Sequence, residues 1–166
     1  MAQVPAEPLG EGVREKFTIQ LAPIGKGRPR QGRFGMYTPK RTKQWETKAG
    51  IFARAAITEK LEGPVRVDIL AVLPRPKKYH RKKDHKGFLW ATVRPDMDNI
   101  RKIVLDAMKD CWTDDSQVVA GATLKVYAEV GGEPRVEVWV SDEFPGPGES
   151  AFHMRHGLIQ LPGQKS

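Results

Sequence analysis

Apolar positions recur along this chain in two rhythms. Phe17, Ile19 and Leu21 alternate with Thr18 and Gln20, a spacing of two that sends every second side chain to one face of a strand. Trp45, Ala49, Phe52, Ala53 and Ala56 fall at i, i+4, i+7, i+8 and i+11. That is one stripe of a helix, and it predicts one from about Thr42 to Thr58. Glu62-Gly63-Pro64 breaks the stripe. Val65, Val67, Ile69, Ala71 and Leu73 then share one side of a second strand, which Pro74 and Pro76 terminate. Phe88 to Val93 predicts a short third strand. Ile100, Ile103, Val104, Ala107, Met108 and Cys111 form the most continuous helical stripe of all. Val118, Ala120, Ala122, Leu124, Val126 and Ala128 predict a long strand with one buried face. Gly131-Gly132-Glu133-Pro134 turns that strand into Val136, Val138 and Val140, so the two should close as a hairpin.

The order β-α-β-β-α-β-β predicts a single α/β (α+β) domain, a mixed sheet with two main helices packed on one face. Residues 1–14 read as a loose lead-in, 15–140 as the folded domain and 141–166 as a tail rich in Pro and Gly. The stretch from Pro23 to Pro39 reads as a loop of Gly, Arg and Lys, with the rings of Phe34 and Tyr37 available to pack or to stack on bases. At 166 residues the chain is long enough for a real core. No apolar run approaches the roughly 18–20 residues of a membrane span, and Met1 to Glu7 lacks the plan of a secretory leader. Cys111, the sole cysteine, excludes an internal disulfide and a zinc site built from several thiolates. A cytoplasmic location is expected.

The formal net charge is +8, and the cations are clustered. Residues 26–48 carry Lys26, Arg28, Arg30, Arg33, Lys40, Arg41, Lys43 and Lys48 against Glu46 alone. Residues 75–86 carry Arg75, Lys77, Lys78, Arg81, Lys82, Lys83 and Lys86 against Asp84 alone. One such block is often a solvated surface. Two blocks ahead of an acidic motif point instead to a nucleic-acid backbone.

That motif is Arg94-Pro95-Asp96-Met97-Asp98-Asn99-Ile100-Arg101-Lys102, with Thr113-Asp114-Asp115-Ser116 a dozen residues on. Asp96 and Asp98 sit where a strand meets a helix, two apart, so both carboxylates can face one cation. Asp114 and Asp115 follow the same helix and rejoin the first pair only if the next strand runs alongside. Mg²⁺ takes one or two carboxylates together with waters and substrate phosphate. Lys102 lies one turn after Asp98 on the same face, where its ammonium can hold the acids or meet a phosphate. Plainer roles also suit these residues: a helix N-cap for Asp96 or Asp98, an i,i+4 pair for Asp98 and Lys102, an ordinary turn for Asp114 and Asp115. A calcium loop of EF-hand type fits poorly, since Arg101 stands where Gly is needed and Ala107 where the bidentate Glu belongs. His80, His85, His153 and His156 have no metal spacing and read as surface residues. Cys111 reads as a small core residue. Asp106 suits either support of Lys102 or plain solvation.

The run from Arg94 to Lys102, then Leu105-Asp106-Ala107-Met108, then Asp114-Asp115-Ser116-Gln117-Val118, resembles the signature of the RusA family of Holliday junction resolvases. Pro23-Ile24-Gly25-Lys26-Gly27-Arg28-Pro29-Arg30 is similar to that family as well, as are Lys125 and Tyr127. The likeness covers about residues 17–140. It implies a Mg²⁺-dependent homodimeric endonuclease of bacteria and their phages, with Mn²⁺ as a substitute cation, that cuts four-way DNA junctions in recombination and repair. It implies Asp96, Asp98 and Asp115 as essential acids, Lys102 as the essential lysine and Asp114 as a further metal ligand. No membrane partner and no nucleotide cofactor are expected. The basic residues expected to bind DNA are Lys26, Arg28, Arg30, Arg33, Lys77, Lys78, Arg81, Lys82 and Lys83. The 75–87 loop and the 141–166 tail depart from the family pattern. The rival readings are a non-catalytic DNA-binding or architectural module, in which the carboxylates would not converge, and a sugar-nucleotide transferase using Asp-x-Asp, for which no glycine fingerprint is present.

Overall fold

The strand Val65–Leu73 is buried along its whole length and forms the middle of the molecule. Its sequence, Val-Arg-Val-Asp-Ile-Leu-Ala-Val-Leu, is apolar on both faces except at Arg66 and Asp68, which is what a strand covered on both sides requires. The computed structural model describes residues 13–144. Numbered in chain order, the strands are β1 (Val13–Ile19), β2 (Arg30–Gly32), β3 (Gly35–Tyr37), β4 (Val65–Leu73), β5 (Leu89–Trp90), β6 (Val118–Ala120), β7 (Thr123–Tyr127) and β8 (Arg135–Ser141). The helices are α1 (Lys40–Ala56) and α2 (Met97–Ala107).

The sheet runs β1-β8-β4-β7-β5, and β6 pairs with β4 as well. Strand β8 is antiparallel to both β1 and β4, while β6 and β7 run parallel to β4. The mixed sheet and the two helices therefore match the expected architecture. Val65, Val67, Ile69, Ala71 and Leu73 join Phe17, Ile19, Val136, Val138 and Val140 beneath the helices. Trp45, Ala49 and Ala53 of α1 and Ile100, Ile103, Val104 and Ala107 of α2 cover them, as the helical stripes predict. Leu70, Val72, Val126, Ala128 and Trp139 make a smaller cluster on the opposite face. Arg66 and Asp68 lie on that face too, as a buried pair with Nε to Oδ2 at 2.8 Å, and Asp68 Oδ1 also accepts the Ala122 N–H at 2.7 Å.

Three expectations are corrected. The strand that begins at Val118 is not continuous. It breaks at Gly121, whose φ of 146° no side-chain-bearing residue adopts readily, and whose Cβ would lie 1.9 Å from Val67 O. The break turns Leu124, Val126 and Ala128 to the face away from the helices, while Val118 packs on the helix side. Nor do β7 and β8 close a hairpin. The turn after Ala128 carries the chain past β7, and the two strands flank β4 on opposite sides, because β4 is buried along its whole length and takes a partner at each edge. Within the expected loop 23–39, β2 and β3 form a two-stranded sheet of their own, turned by Arg33 and Phe34. Boundaries also move: β1 takes in Val13 and Arg14, and α1 starts two residues early. The remainder of the expected lead-in, and residues 145–166 of the expected tail with His153 and His156, lie outside the described residues.

Candidate functional site

The start of α2 is held from three sides. Lys125 Nζ on β7 donates to Val93 O and, at 2.9 Å, to Pro95 O. The Lys26 N–H donates to Asn99 O at 3.1 Å. Gly25 permits that approach, since a Cβ there would meet Pro95 Cβ at 2.9 Å. One turn on, Arg101 Nη1 donates to Val67 O at 3.0 Å and Thr123 Oγ1 at 3.2 Å, clamping α2 across the Gly121 break. Burial lowers the pKa of that guanidinium, with Asp68 acting in the opposite sense. Arg101 is thus a structural cation.

Asp96 occupies the N-cap position of α2, yet its carboxylate caps nothing. Neither Asp96 nor Asp98 has an ion pair with another described residue, and both are exposed. The plainer reading of these acids as helix caps is therefore not what the geometry shows. Asp98, Lys102 and Asp106 form one ridge of α2, and this ridge lines a pocket of about 330 Å³ with Trp112, Asp115 and Val118. The chain beyond α2 doubles back so that β6 pairs with β4, which brings Asp115 to the same pocket as Asp98.

Asp115 is oriented by Trp112, whose buried indole Nε1 donates to Oδ1 at 3.0 Å. That leaves Oδ2 free of any donor among the described residues. Asp114 is occupied differently. Its carboxylate accepts the Ser116 N–H at 2.8 Å, and hydrogen bonds from the Ser116 side chain and then that N–H hold its pKa below the usual carboxylate range. Gln117 completes this cap by accepting from the Thr113 and Asp114 N–H groups at 2.8 and 2.9 Å, and its amide donates to Leu61 O and Gly63 O. Gln117 is a positioning residue that the functional reading of the sequence misses. The spacing Asp114-x-x-Gln117 is its available signal, being that of a capping box.

Lys26 is turned inward. Its ammonium pairs with Glu46 of α1 and, at 2.6 Å, with Asp106 of α2. Burial pulls its pKa down, but the hydrogen bonds to Asp106 and Glu46 outweigh that and leave it raised. Asp106 thus supports Lys26, and Lys26 is withdrawn from the surface where DNA binding was expected.

On the other side of the α2 N-terminus lies a larger cleft of about 910 Å³. Arg28, Arg30, Arg41 and Arg94 line it, and Asp96 and Asn99 form part of its wall. Arg33 is exposed at the tip of the β2–β3 turn. Arg41 and Arg94 join Arg28 and Arg30 in lining this cleft; their place there depends on the return of α1 and of the Val93–Asp96 turn, which no spacing reveals.

The second basic block is an organised loop. Arg75 donates to Tyr79 O at 2.9 Å, Gly87 O at 2.8 Å and Ala128 O at 3.1 Å, and to His85 O. Arg81 is paired with Asp84 at 3.1 Å. Lys77, Lys78, Lys82 and Lys83 remain exposed, with Lys78 over the Tyr79 ring. His80 and His85 are exposed, and Cys111 is buried, as expected.

Asp98 and Asp115 therefore share a pocket, Asp96 opens to the neighbouring cleft, and among the described residues no three His, Cys, Asp or Glu side chains stand together as an ion site. Among them, too, no helix is long and apolar enough to cross a membrane. Comparison with known proteins agrees with the motif. The chain is 36% identical over 138 residues to the uncharacterized protein YqaN of Bacillus subtilis (strain 168), covering 76% of this chain and 95% of that protein. The family model described as Endodeoxyribonuclease RusA matches residues 20–141. With a mixed sheet that presents the acids of Arg94–Lys102 and Asp115 around α2, and with that match, the chain belongs to the RusA endodeoxyribonuclease family.

Proposed function

We propose that this protein is a divalent-metal-dependent, structure-selective endonuclease that resolves four-way DNA junctions as a homodimer, in cytoplasmic recombination and repair. The observation that carries this reading is the pocket shared by Asp98, Lys102 and Asp115, beside an arginine-lined cleft to which Asp96 contributes. Uncommitted carboxylates on a basic surface repel phosphate, and a cation held between them would relieve that repulsion where the backbone meets the acids.

The donor set fits Mg²⁺, or Mn²⁺ in its place. These are hard cations that take oxygen ligands and need only one or two protein carboxylates once waters and phosphate complete the shell. Asp98 and Asp115 are the ligands we assign, with Asp96 at the edge nearest the DNA; Asp114 acts as a cap. When bound, such an ion supplies positive charge at the phosphate and a more acidic water. The protein's own groups do the rest. Trp112 fixes which Asp115 oxygen remains available. Lys102 stabilises the charge that develops on the phosphate oxygens as the P–O bond breaks. Arg28, Arg30, Arg41 and Arg94 hold the backbone in register with the acids.

Symmetric resolution needs two such sites, hence a second copy of the chain. Incubating purified protein with a labelled four-way junction, with and without Mg²⁺, beside a matched linear duplex, tests this. Paired nicks near the branch point that require Mg²⁺ are expected. Junction binding without cleavage at any divalent cation would leave a DNA-binding module instead.

A further inference from the structure

We propose that Phe34, at the tip of the β2–β3 hairpin, reads the branch point itself by stacking on a base exposed there. This rests on the nuclease reading above and extends it to how the substrate is distinguished from ordinary duplex.

Phe34 is 97% exposed, while Met36 and Tyr37 on the returning strand are 64% and 51% exposed. The hairpin forms its own small sheet, so the fold offers this apolar surface no core to enter. A short two-stranded hairpin is marginal unaided, and a bare aromatic at its tip contributes nothing to the folded state.

Charge identifies the occupant. No acidic residue occurs from Lys16 to Trp45, a stretch that includes the whole hairpin. Arg33 lies beside the ring, its guanidinium carbon 5.7 Å from the ring centroid. At the root, Arg28 and Arg30 line the cleft that reaches Asp96. An aromatic ring with one arginine beside it, on a hairpin whose root leads into an arginine-lined cleft, has the chemistry of a nucleic-acid stacking platform, and a membrane surface or an apolar protein partner would leave the cleft unused. Duplex DNA keeps its base faces covered by neighbouring pairs. A four-way junction exposes them where strands exchange, so a stacking group discriminates in favour of the branch.

The test measures binding of the full chain in EDTA, which prevents cleavage, to a four-way junction and to linear duplex of the same sequence. The junction carries 2-aminopurine at the crossover. Phe34→Ala is expected to weaken junction binding about tenfold, the scale of one lost stack, while duplex binding stays the same. The 2-aminopurine fluorescence change on binding should vanish with it, and Phe34→Trp should restore both. Equal loss for junction and duplex, or no loss for either, overturns the inference while wild-type preference for the junction keeps the resolvase reading. Absence of that preference in the wild-type protein removes both.

Discussion

The indole N–H of Trp112 donates to Asp115 Oδ1 at 3.0 Å, from a ring that is 1% exposed. A buried donor thus fixes one oxygen of an exposed acid in the candidate metal pocket. Groups behind a metal ligand commonly set affinity by orienting it, and their loss costs about 10–100-fold. Trp112→Phe keeps the aromatic body and removes the donor. The Mg²⁺ concentration for half-maximal cleavage should rise about tenfold while junction binding in EDTA is unchanged, with a stability loss of roughly 1–2 kcal/mol. A rise in junction Kd with no change in metal requirement would assign the bond to folding alone.

Asp98→Asn and Lys102→Ala should separate binding from cleavage. Both residues are exposed on α2, and neither side chain is bonded within the described fold, so each variant should fold as the wild type does. Cleavage should fall by orders of magnitude, since each lost 1.4 kcal/mol of transition-state stabilisation is about tenfold in rate. Asp98→Asn should hold the junction as tightly or more so. Gel-shift and single-turnover cleavage assays decide it.

Neutralising Lys77, Lys78, Lys82 and Lys83 together should weaken junction binding and flatten its salt dependence, with the log–log slope falling by about 0.9 for each phosphate no longer neutralised. Arg75 is left out because its guanidinium holds the loop carbonyls, and Arg81 because Asp84 engages it. A titration of Kd against salt that retains the wild-type slope would make the loop a solvated surface.

Gly121→Ala should be the most damaging glycine-to-alanine change among the described residues. The new methyl would lie 1.9 Å from Val67 O at a φ of 146°, so either β6 or β7 must leave β4. A loss of roughly 3–4 kcal/mol is expected in urea denaturation. Arg101, whose bonds bridge the same break, would lose its partners with it.

Burial raises the Cys111 thiol to about 11 from an ordinary 9.0. A raised folded pKa means the folded state holds its proton longer. The contribution is therefore complete below about pH 9 and disappears as pH climbs through 11, a difference on the order of 2–3 kcal/mol. The drop in Tm between pH 8 and pH 11 should be smaller in Cys111→Ala than in the parent protein. Identical drops would show that the thiol does not take part.

The architecture was legible because α1, α2, β4 and β8 each present an unbroken apolar stripe. What the stripes do not encode is neighbourhood. Alternation at Val136, Val138 and Val140 reports that one face is buried, and it is silent on whether β7 or β4 lies alongside. Hairpin β2–β3 was invisible for the opposite reason, since strands of three residues with exposed side chains have no buried face to report. Gly121 was readable in principle, as an isolated glycine within an alternating run marks a bulge or a close approach. At the site, Asp98 and Lys102 are one helical turn apart, so their shared face followed from spacing. Lys26 did not, because its partners Glu46 and Asp106 come from two helices distant in sequence. A cation in a basic block looks the same in sequence whether it faces DNA or a pair of acids inside the fold.

The hairpin's independence from the main sheet has an evolutionary consequence. None of its backbone pairs belongs to the ladder around β4, so residues can be added or deleted between Arg30 and Tyr37 without shifting the register of the six-stranded sheet on which α2 packs. Recognition and chemistry can then diverge at different rates. On the proposed reading, a relative that keeps the acids of α2 but carries a longer, shorter or differently tipped hairpin would cut with the same groups while recognising a different branched shape.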